Sequence, residues 1–447
     1  MAKKMTEGRP LPLIMGFAVP LLIGNVLQQT YNIIDAAIVG RALGANALAS
    51  VGASSSVQFL VLGFCIGLAC GFGVPIAKSF GAGDMAQMRS HIFHSMFLTG
   101  VFAVILTAVC ALLCPQILHL LSTPDEIYQG AYNYLIILFL GIPFSLLYNL
   151  MSSILRSVGD SRTPFIFLAI STVLNIILDL VCILVFHWGC AGAAAATITA
   201  QAVSGILCCI YIWTKVPVLR ISGKDCLVQS RGVRIMCTMG VPMGLQYSIT
   251  AIGTLVIQAA VNGFGATVMA GVTAAGRLGN FLSCPIEALG QTMAPYVGQN
   301  VGAGKLKRVS KGLKAASLMG FCVSAVLLVI VVLFGRRMSV LFLDAGEVEA
   351  MGYAYQYMTV TAAGYCLLTL VNTVRFTIQG MGFSGIAILA GVFEMVARTL
   401  AGTLLVAVAG YFGICMANTL AWIFADAFLI PAFFLCRRRL EKHYPSE

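Results

Sequence analysis

The chain has 447 residues, of which 59% are hydrophobic and 10% charged, and a formal net charge of +11. A charged fraction far below the quarter usual in water-soluble domains excludes a soluble globule and places the chain in lipid. Its positive excess calls for no nucleic acid, because nearly all of it lies in loops and tails rather than on one basic face.

Runs apolar enough to cross about 30 Å of hydrocarbon as helices fall near residues 11–39, 45–76, 91–115, 131–155, 163–187 and 190–213, and again near 235–262, 266–298, 312–335, 351–378, 384–409 and 411–436. The expected fold is therefore an all-α membrane protein of twelve transmembrane helices. Met1 to Pro10 is short and basic, and the apolar stretch behind it is too long for a signal peptide and lacks a cleavage site; it reads as the first span. If the N-terminus is cytoplasmic, the inner loops and tails hold 21 of the 27 Lys and Arg, the outer loops only Arg41, Arg336 and Arg337, and the spans only Arg277, Arg375 and Arg398. Both termini are then expected inside.

The first span carries Pro20, which removes a backbone donor and tends to kink its helix. Beyond it Asn25, Gln28, Gln29, Tyr31, Asn32 and Asp35 fall on one arc at 3.6 residues per turn. A carboxylate in hydrocarbon is costly, so this arc faces protein or water and is a functional candidate. The inner loop Ser79-Phe80-Gly81-Ala82-Gly83-Asp84 reads as a tight turn. On the fifth span Asn175 and Asp179 are four apart and share a face; on the sixth, Thr197 and Gln201 do likewise. These donors are all oxygens: two carboxylates, an amide and a hydroxyl suit a hard cation such as Na+, and paired carboxylates equally suit a shared proton. Residues 215–234, the longest hydrophilic segment, form a cytoplasmic linker expected to lie on the membrane surface.

Past the linker, Pro242 stands in the seventh span as Pro20 does in the first. Glu287 in the eighth span and Asp426 in the twelfth lack an obvious in-helix partner and are candidates for attracting a cationic substrate. Arg277 is ten helical residues from Glu287, roughly 15 Å, too far to neutralise it within the helix. Gly298 to Lys305 superficially looks like a phosphate-binding loop, but its spacing is one residue too long, Leu306 replaces the required Ser or Thr, and no strand precedes it. Glu394 and Arg398, four apart on the eleventh span, read as an intrahelical ion pair. The fifteen cysteines lie mostly singly within spans, as small apolar residues, so no disulfide framework is expected.

The chain repeats itself. Gly81-Ala82-Gly83 returns as Gly302-Ala303-Gly304, Leu155 to Ser161 as Ile378 to Ser384, Val19-Pro20 as Val241-Pro242 and Asn149 as Asn372, at an offset of 221 to 223. Two homologous six-helix lobes follow, an N lobe over 1–214 and a C lobe over 235–436, with a cytoplasmic tail at 437–447. Six crossings per repeat give both lobes the same orientation, with the pseudo-two-fold axis along the membrane normal.

Asp35-Ala36-Ala37-Ile38-Val39-Gly40-Arg41-Ala42-Leu43-Gly44, the Gly-Ala-Gly loop, Leu155 to Asp160, and Asn175-Ile176-Ile177-Leu178-Asp179 together resemble the multidrug and toxic compound extrusion (MATE) family over essentially the whole chain. The resemblance implies a V-shaped pair of bundles in a bacterial inner membrane, a monomer that exports amphipathic, often cationic compounds in antiport with Na+ or H+. It places the family's N-lobe cation site on Asp35, Asn175, Asp179 and Thr197, the neighbouring substrate cavity on Gln28, Tyr31 and Asn149, and the bending proline on Pro20. Some members carry a further carboxylate in the first or fourth helix of the C lobe; residues 236–262 and 353–380 contain none, which locates coupling in the N lobe. A lipid-linked saccharide flippase of the same superfamily would need a strongly cationic cavity, against three basic residues in the spans. A membrane-embedded enzyme would need a nucleophile or metal constellation, whereas the five histidines stand at span ends, in loops or in the tail.

Overall fold

A computed structural model describes residues 3–121, 123–344 and 346–443, almost wholly as helix. In chain order the helices are α1 (Pro10–Leu43), α2 (Ala45–Ala82), α3 (Met85–Leu120), α4 (Asp125–Leu140), α5 (Ile142–Ser157), α6 (Arg162–Leu180), α7 (Gly189–Lys215), α8 (Ser230–Asn262), α9 (Ala266–Gly302), α10 (Leu306–Ser339), α11 (Val348–Ala363), α12 (Tyr365–Gly380), α13 (Ser384–Leu400), α14 (Val406–Ala409) and α15 (Tyr411–His443). Single π-helical segments, Val181–Val185 and Ala401–Leu405, follow α6 and α13.

Among the described residues nine helices are long and apolar enough to cross a membrane unaided. Two more crossings are bent pairs, α4 with α5 at 47° and α11 with α12 at 50°. α9 supplies the twelfth: its 37 residues suffice in length, and Arg277, Glu287, Gln299 and Asn300 make it less apolar. The fourth and tenth spans, drawn from the sequence as single helices, are thus broken, at Gly141 and Gly364. In the first copy Pro143 follows the break and cannot donate a backbone hydrogen bond; the second copy bends at its glycine without a proline.

The chain forms two compact units whose limits are not those of the sequence repeats. The first gathers Ile23–Gly244 with the chain up to Lys4; the second gathers Met5–Leu22 with the chain from Leu245 onward. Each first helix of a repeat therefore changes unit two residues after its proline, at Leu22 following Pro20 and at Gly244 following Pro242.

In the first unit α2 is the central helix. Its Cys65, Leu68, Phe72 and Ile76, spaced as one helical face, pack with Leu135 and Phe139 of α4, Leu146 and Leu150 of α5, and Cys208 of α7. Every cysteine is free; Cys65, Cys208 and their like serve as small core residues. The opening of α8 crosses α2 through facing Gly-x-x-x-Gly pairs, Gly67/Gly71 against Gly240/Gly244. A Cβ on Gly71 would stand 2.6 Å from the Gly240 Cα, and one on Gly67 would stand 2.3 Å from the Met243 carbonyl oxygen. Small residues admit such backbone approach in lipid. Gly71→Leu is accordingly expected to separate the two helices at a cost of at least about 1–3 kcal/mol, read as a lower thermal midpoint and several-fold less monodisperse protein. Gly100→Leu, at a glycine with open space around its Cα, is the control; equal behaviour of the two would refute the crossing's importance.

The motif Leu155 to Ser161 has a structural function. Asp160 caps α6, Oδ1 accepting from the Arg162 and Thr163 N–H groups at 3.1 and 3.0 Å and Oδ2 from the Thr163 hydroxyl at 2.7 Å, which satisfies helix donors that would otherwise be orphaned. Within the linker, α7 runs to Lys215, two 3₁₀ turns, Pro217–Leu219 and Gly223–Asp225, follow, and α8 begins at Ser230. Pro217 and a Ser222/Asp225 capping box favour turns here. The segment is pinned by its Asp225, 3.3 Å from Arg89 Nε, and by the Gln229 N–H donating to His94 Nε2 at 2.9 Å.

In the second unit α9 is central and packs closely on α12, Gly290 lying against Asn372. The buried Tyr296 of α9 donates its hydroxyl to the Arg308 carbonyl at 3.1 Å. Basic residues at the start of α10 hold the segment that precedes α1: Lys305 Nζ donates to the Thr6 carbonyl at 3.1 Å and Arg308 Nη1 to that of Gly8 at 2.8 Å. α15 continues through the predicted tail to His443; residues 444–447 of that tail lie outside the described residues.

Candidate functional site

Three helices of the first unit bring the predicted cation residues together. Tyr31 and Asp35 lie about one turn apart on α1, Asn175 and Asp179 one turn apart on α6, and Thr197 faces them from α7. Asp35, Asn175, Asp179 and Thr197 are 8%, 2%, 0% and 6% exposed. The Asp35 and Asp179 carboxyl groups lie close enough to influence one another's charge. Two bare carboxylates cannot share a hydrogen bond, and unit charges about 4 Å apart repel by roughly 4 kcal/mol even at an effective dielectric of 20. A proton shared between the two carboxyl groups, or a cation between them, would relieve that repulsion.

The surrounding donors define what could enter. Asn175, with its amide placed so that both ends are satisfied, donates to Asp179 Oδ2 at 2.9 Å and accepts the Thr197 N–H at 3.1 Å. Turned over, the amide presents its oxygen to Asp179 instead, the arrangement a bound cation would stabilise. Thr197 donates its hydroxyl to the Ala193 carbonyl at 3.0 Å, so Tyr31, 3.0 Å away, is the donor of that pair. Asp35 Oδ1 and Asp179 Oδ1 are buried and have no partner. These acceptors fit a small hard cation or a proton, since a buried polar atom left unpaired is expensive. A π-helical segment begins two residues beyond Asp179, a distortion frequent at functional positions.

An apolar wall closes the site. Val39, Leu138, Ile183, Ala193 and Ala194 cluster with Tyr134 of α4, whose ring is within electrostatic reach of Asp35, Asp179 and Tyr31. Tyr134 was missed by sequence reasoning; nothing in its local spacing distinguishes it from an ordinary core tyrosine.

The predicted cavity residues are less unified. Gln28 is exposed and Tyr31 half-buried, so the polar arc of α1 runs from open space into the cation site. Asn149 is half-buried and spends its amide on the Ser145 carbonyl one turn back, at 2.8 Å, while the Ser145 hydroxyl donates to Gln201. Glu287 has the in-helix partner the sequence did not reveal: Ser283 four residues earlier donates its hydroxyl at 2.7 Å. Asp426, read from the sequence as a cavity residue, is as buried as the residues of the ion site. It is 5% exposed and sits inside the second unit within reach of Arg375, because α15 packs that face against α12 and α13.

The family pattern described as MatE matches this chain twice, over residues 20–181 and 242–404, an offset that reproduces the internal repeat. Probable multidrug resistance protein YpnP of Bacillus subtilis (strain 168) is 31% identical, over 85% of this chain and 84% of its own length. Multidrug export protein MepA of Staphylococcus saprophyticus is 25% identical, over 85% and 84%. Among solved structures, the outward-facing conformation of a multidrug resistance MATE family transporter of the MOP superfamily superposes with a TM-score of 0.91 at 20% identity, over 98% of this chain and 97% of that one. At that identity the likeness shows the fold.

Proposed function

Because the chain belongs to the MatE family, whose members are multi-pass membrane transporters and not enzymes, we propose that it exports amphipathic, often cationic small molecules by alternating access, driven by Na+ or H+ moving inward through Asp35, Asn175, Asp179 and Thr197. The observation that carries this reading is the burial together of two carboxyl groups from different helices, each with an oxygen left unpaired. A neutral packing face has no use for such an arrangement. The relatives named for multidrug resistance and export support the substrate class. Both termini are proposed to be cytoplasmic in a bacterial cell, a reading supported by the basic start of α10 (Lys305, Lys307, Arg308) and the basic end of α15 (Arg437, Arg438, Arg439), and the proposed ion site draws on a single chain, consistent with a monomer. The flippase alternative, which would need a strongly cationic cavity, has less support here, since two of the three basic residues in the spans, Arg375 and Arg398, are bound to Glu394.

Transport into vesicles with sodium and proton gradients imposed independently tests the proposal and identifies the ion. Asn175→Ala and Thr197→Ala each remove one neutral oxygen ligand from a charged guest, worth roughly 1.5–3 kcal/mol. Half-saturation by the driving ion is expected to weaken on the order of 10-fold or more, with maximal rate reduced less. Normal transport by both variants at limiting ion would remove these residues from the site.

Pro20 is proposed as the hinge. α1 remains helical through it, yet the helix passes from one compact unit to the other two residues later, where a missing backbone hydrogen bond makes bending cheap. An ion at Asp35, four turns on, need bias the two forms by only a few kcal/mol to act as a switch. Pro20→Ala is expected to slow turnover about 10-fold, the effect of roughly 1.4 kcal/mol, while substrate affinity stays within about two-fold. Spin-label distances between α1 and α7 should respond to the driving ion in the unaltered protein; an ion-insensitive distance would make Pro20 a fixed kink.

A further inference from the structure

Among its described residues the second unit buries two cations and two anions, and they are unequally paired. Glu394 of α13 receives both guanidinium groups: Arg375 of α12 donates to Oε1, and Arg398, one turn along α13, places Nη2 3.4 Å from Oε2. Glu394 is 3% exposed and each arginine 6%. One negative charge is thus shared by two positive ones. The remaining anion, Asp426 of α15, is 5% exposed, and neither of its carboxyl oxygens has a hydrogen-bond partner. It feels the Arg375 charge but makes no ion pair with it, while Arg375 Nε and Arg398 Nη1 are themselves buried and unpartnered.

An ionised carboxylate with two bare oxygens is not tolerable at this depth; it takes up a proton or acquires a partner. Among the described residues, the other ionisable groups acting on the cluster are Tyr357 of α11, beside Arg398, and Tyr247 of α8, beside Arg375; both are weak acids that cannot stand in for the missing charge. We propose that Asp426 is a proton-exchanging group of the second unit, and that its protonation decides which carboxylate Arg375 pairs with. In the arrangement observed, Asp426 carries the proton and Arg375 stays on Glu394. When Asp426 releases that proton to water it becomes a carboxylate, Arg375 turns to it, and Glu394 keeps Arg398; two separate ion pairs replace the shared one. The Asp35–Asp179 pair belongs to the other unit.

Difference infrared spectroscopy of the purified full chain in lipid, titrated through pH, reads the carbonyl stretch of protonated carboxyl groups and separates the two sites. With Asp35→Asn and Asp179→Asn both in place, a titrating carboxyl band is expected to remain, and adding Asp426→Asn should remove it. In the same background Arg375→Gln takes away a positive neighbour that favours the carboxylate, so the midpoint should rise by about one pH unit or more, a tenfold gain in proton affinity. Glu394→Gln frees Arg375 for Asp426 and should lower it comparably; if that variant fails to fold, the rise with Arg375→Gln, which leaves Glu394 paired with Arg398, keeps the test decisive. A residual spectrum unaltered by Asp426→Asn, or a midpoint that moves with neither Arg375→Gln nor Glu394→Gln, overturns the proposal. Opposite shifts in the two variants support it, since a purely structural carboxyl would not titrate at all.

Discussion

Asp35→Asn is expected to abolish ion-driven export while leaving a helical, monodisperse protein in the membrane. The carboxyl pair that defines the site needs two acids: an amide at position 35 can accept a hydrogen bond but can neither share a proton with Asp179 nor offer a charge to a cation. Losing one unit charge about 4 Å from a bound cation forfeits roughly 4 kcal/mol at an effective dielectric of 20, about a thousandfold in affinity. The driving ion would no longer load at usable concentrations. The fold should survive, because the substitution is nearly isosteric and relieves the burial of a charge. Asp179→Asn should give the same phenotype, as either carboxyl is useless alone. Ethidium export from proteoliposomes against an imposed ion gradient measures the effect; full export by normally inserted Asp35→Asn protein would sink the assignment.

Much of this site was legible because helical spacing reports which side chains share a face. Asn175 and Asp179 are one turn apart, and Asp35 ends an arc that begins at Asn25, so each helix announced its polar side. That α1, α6 and α7 turn those sides toward one another is not a property of spacing; it came from the resemblance to a family. Tyr134 stayed hidden because its role depends on α4 passing over Asp35, a contact between segments about a hundred residues apart. The breaks at Gly141 and Gly364 were invisible for a different reason: hydropathy averages across a bend and cannot distinguish a straight span from a broken one. Repeats gave the correct duplication, yet sequence similarity marks ancestry rather than packing, and Met5–Leu22 packs with the second repeat's helices. Glu394 and Arg398 were recognised as a pair from their separation of four, whereas Arg375, nineteen residues before Glu394, gave no local sign of being the other partner.

Removing Glu394 should be the most destabilising neutralisation in the second unit, and its size should depend on Asp426. Glu394→Gln leaves Arg375 and Arg398 buried without the carboxylate that both contact; breaking a buried ion pair on one side typically costs about 3–5 kcal/mol. Part of that cost is recoverable, because Asp426 can ionise and take Arg375. Asp426→Asn alone should be mild, since its side chain already lacks any partner in the arrangement observed. The double variant, with two guanidinium groups and no carboxylate, has no such recourse, and its loss of stability should exceed the sum of the single losses by at least about 1 kcal/mol, within the range expected for residues of one charge network. Thermal unfolding of all four proteins in the same detergent, followed by loss of monodispersity, provides the cycle. Strict additivity would mean that Asp426 never rescues Arg375, and an unchanged midpoint for Glu394→Gln would mean that the two arginines find solvent or lipid headgroups rather than depending on the carboxylate between them.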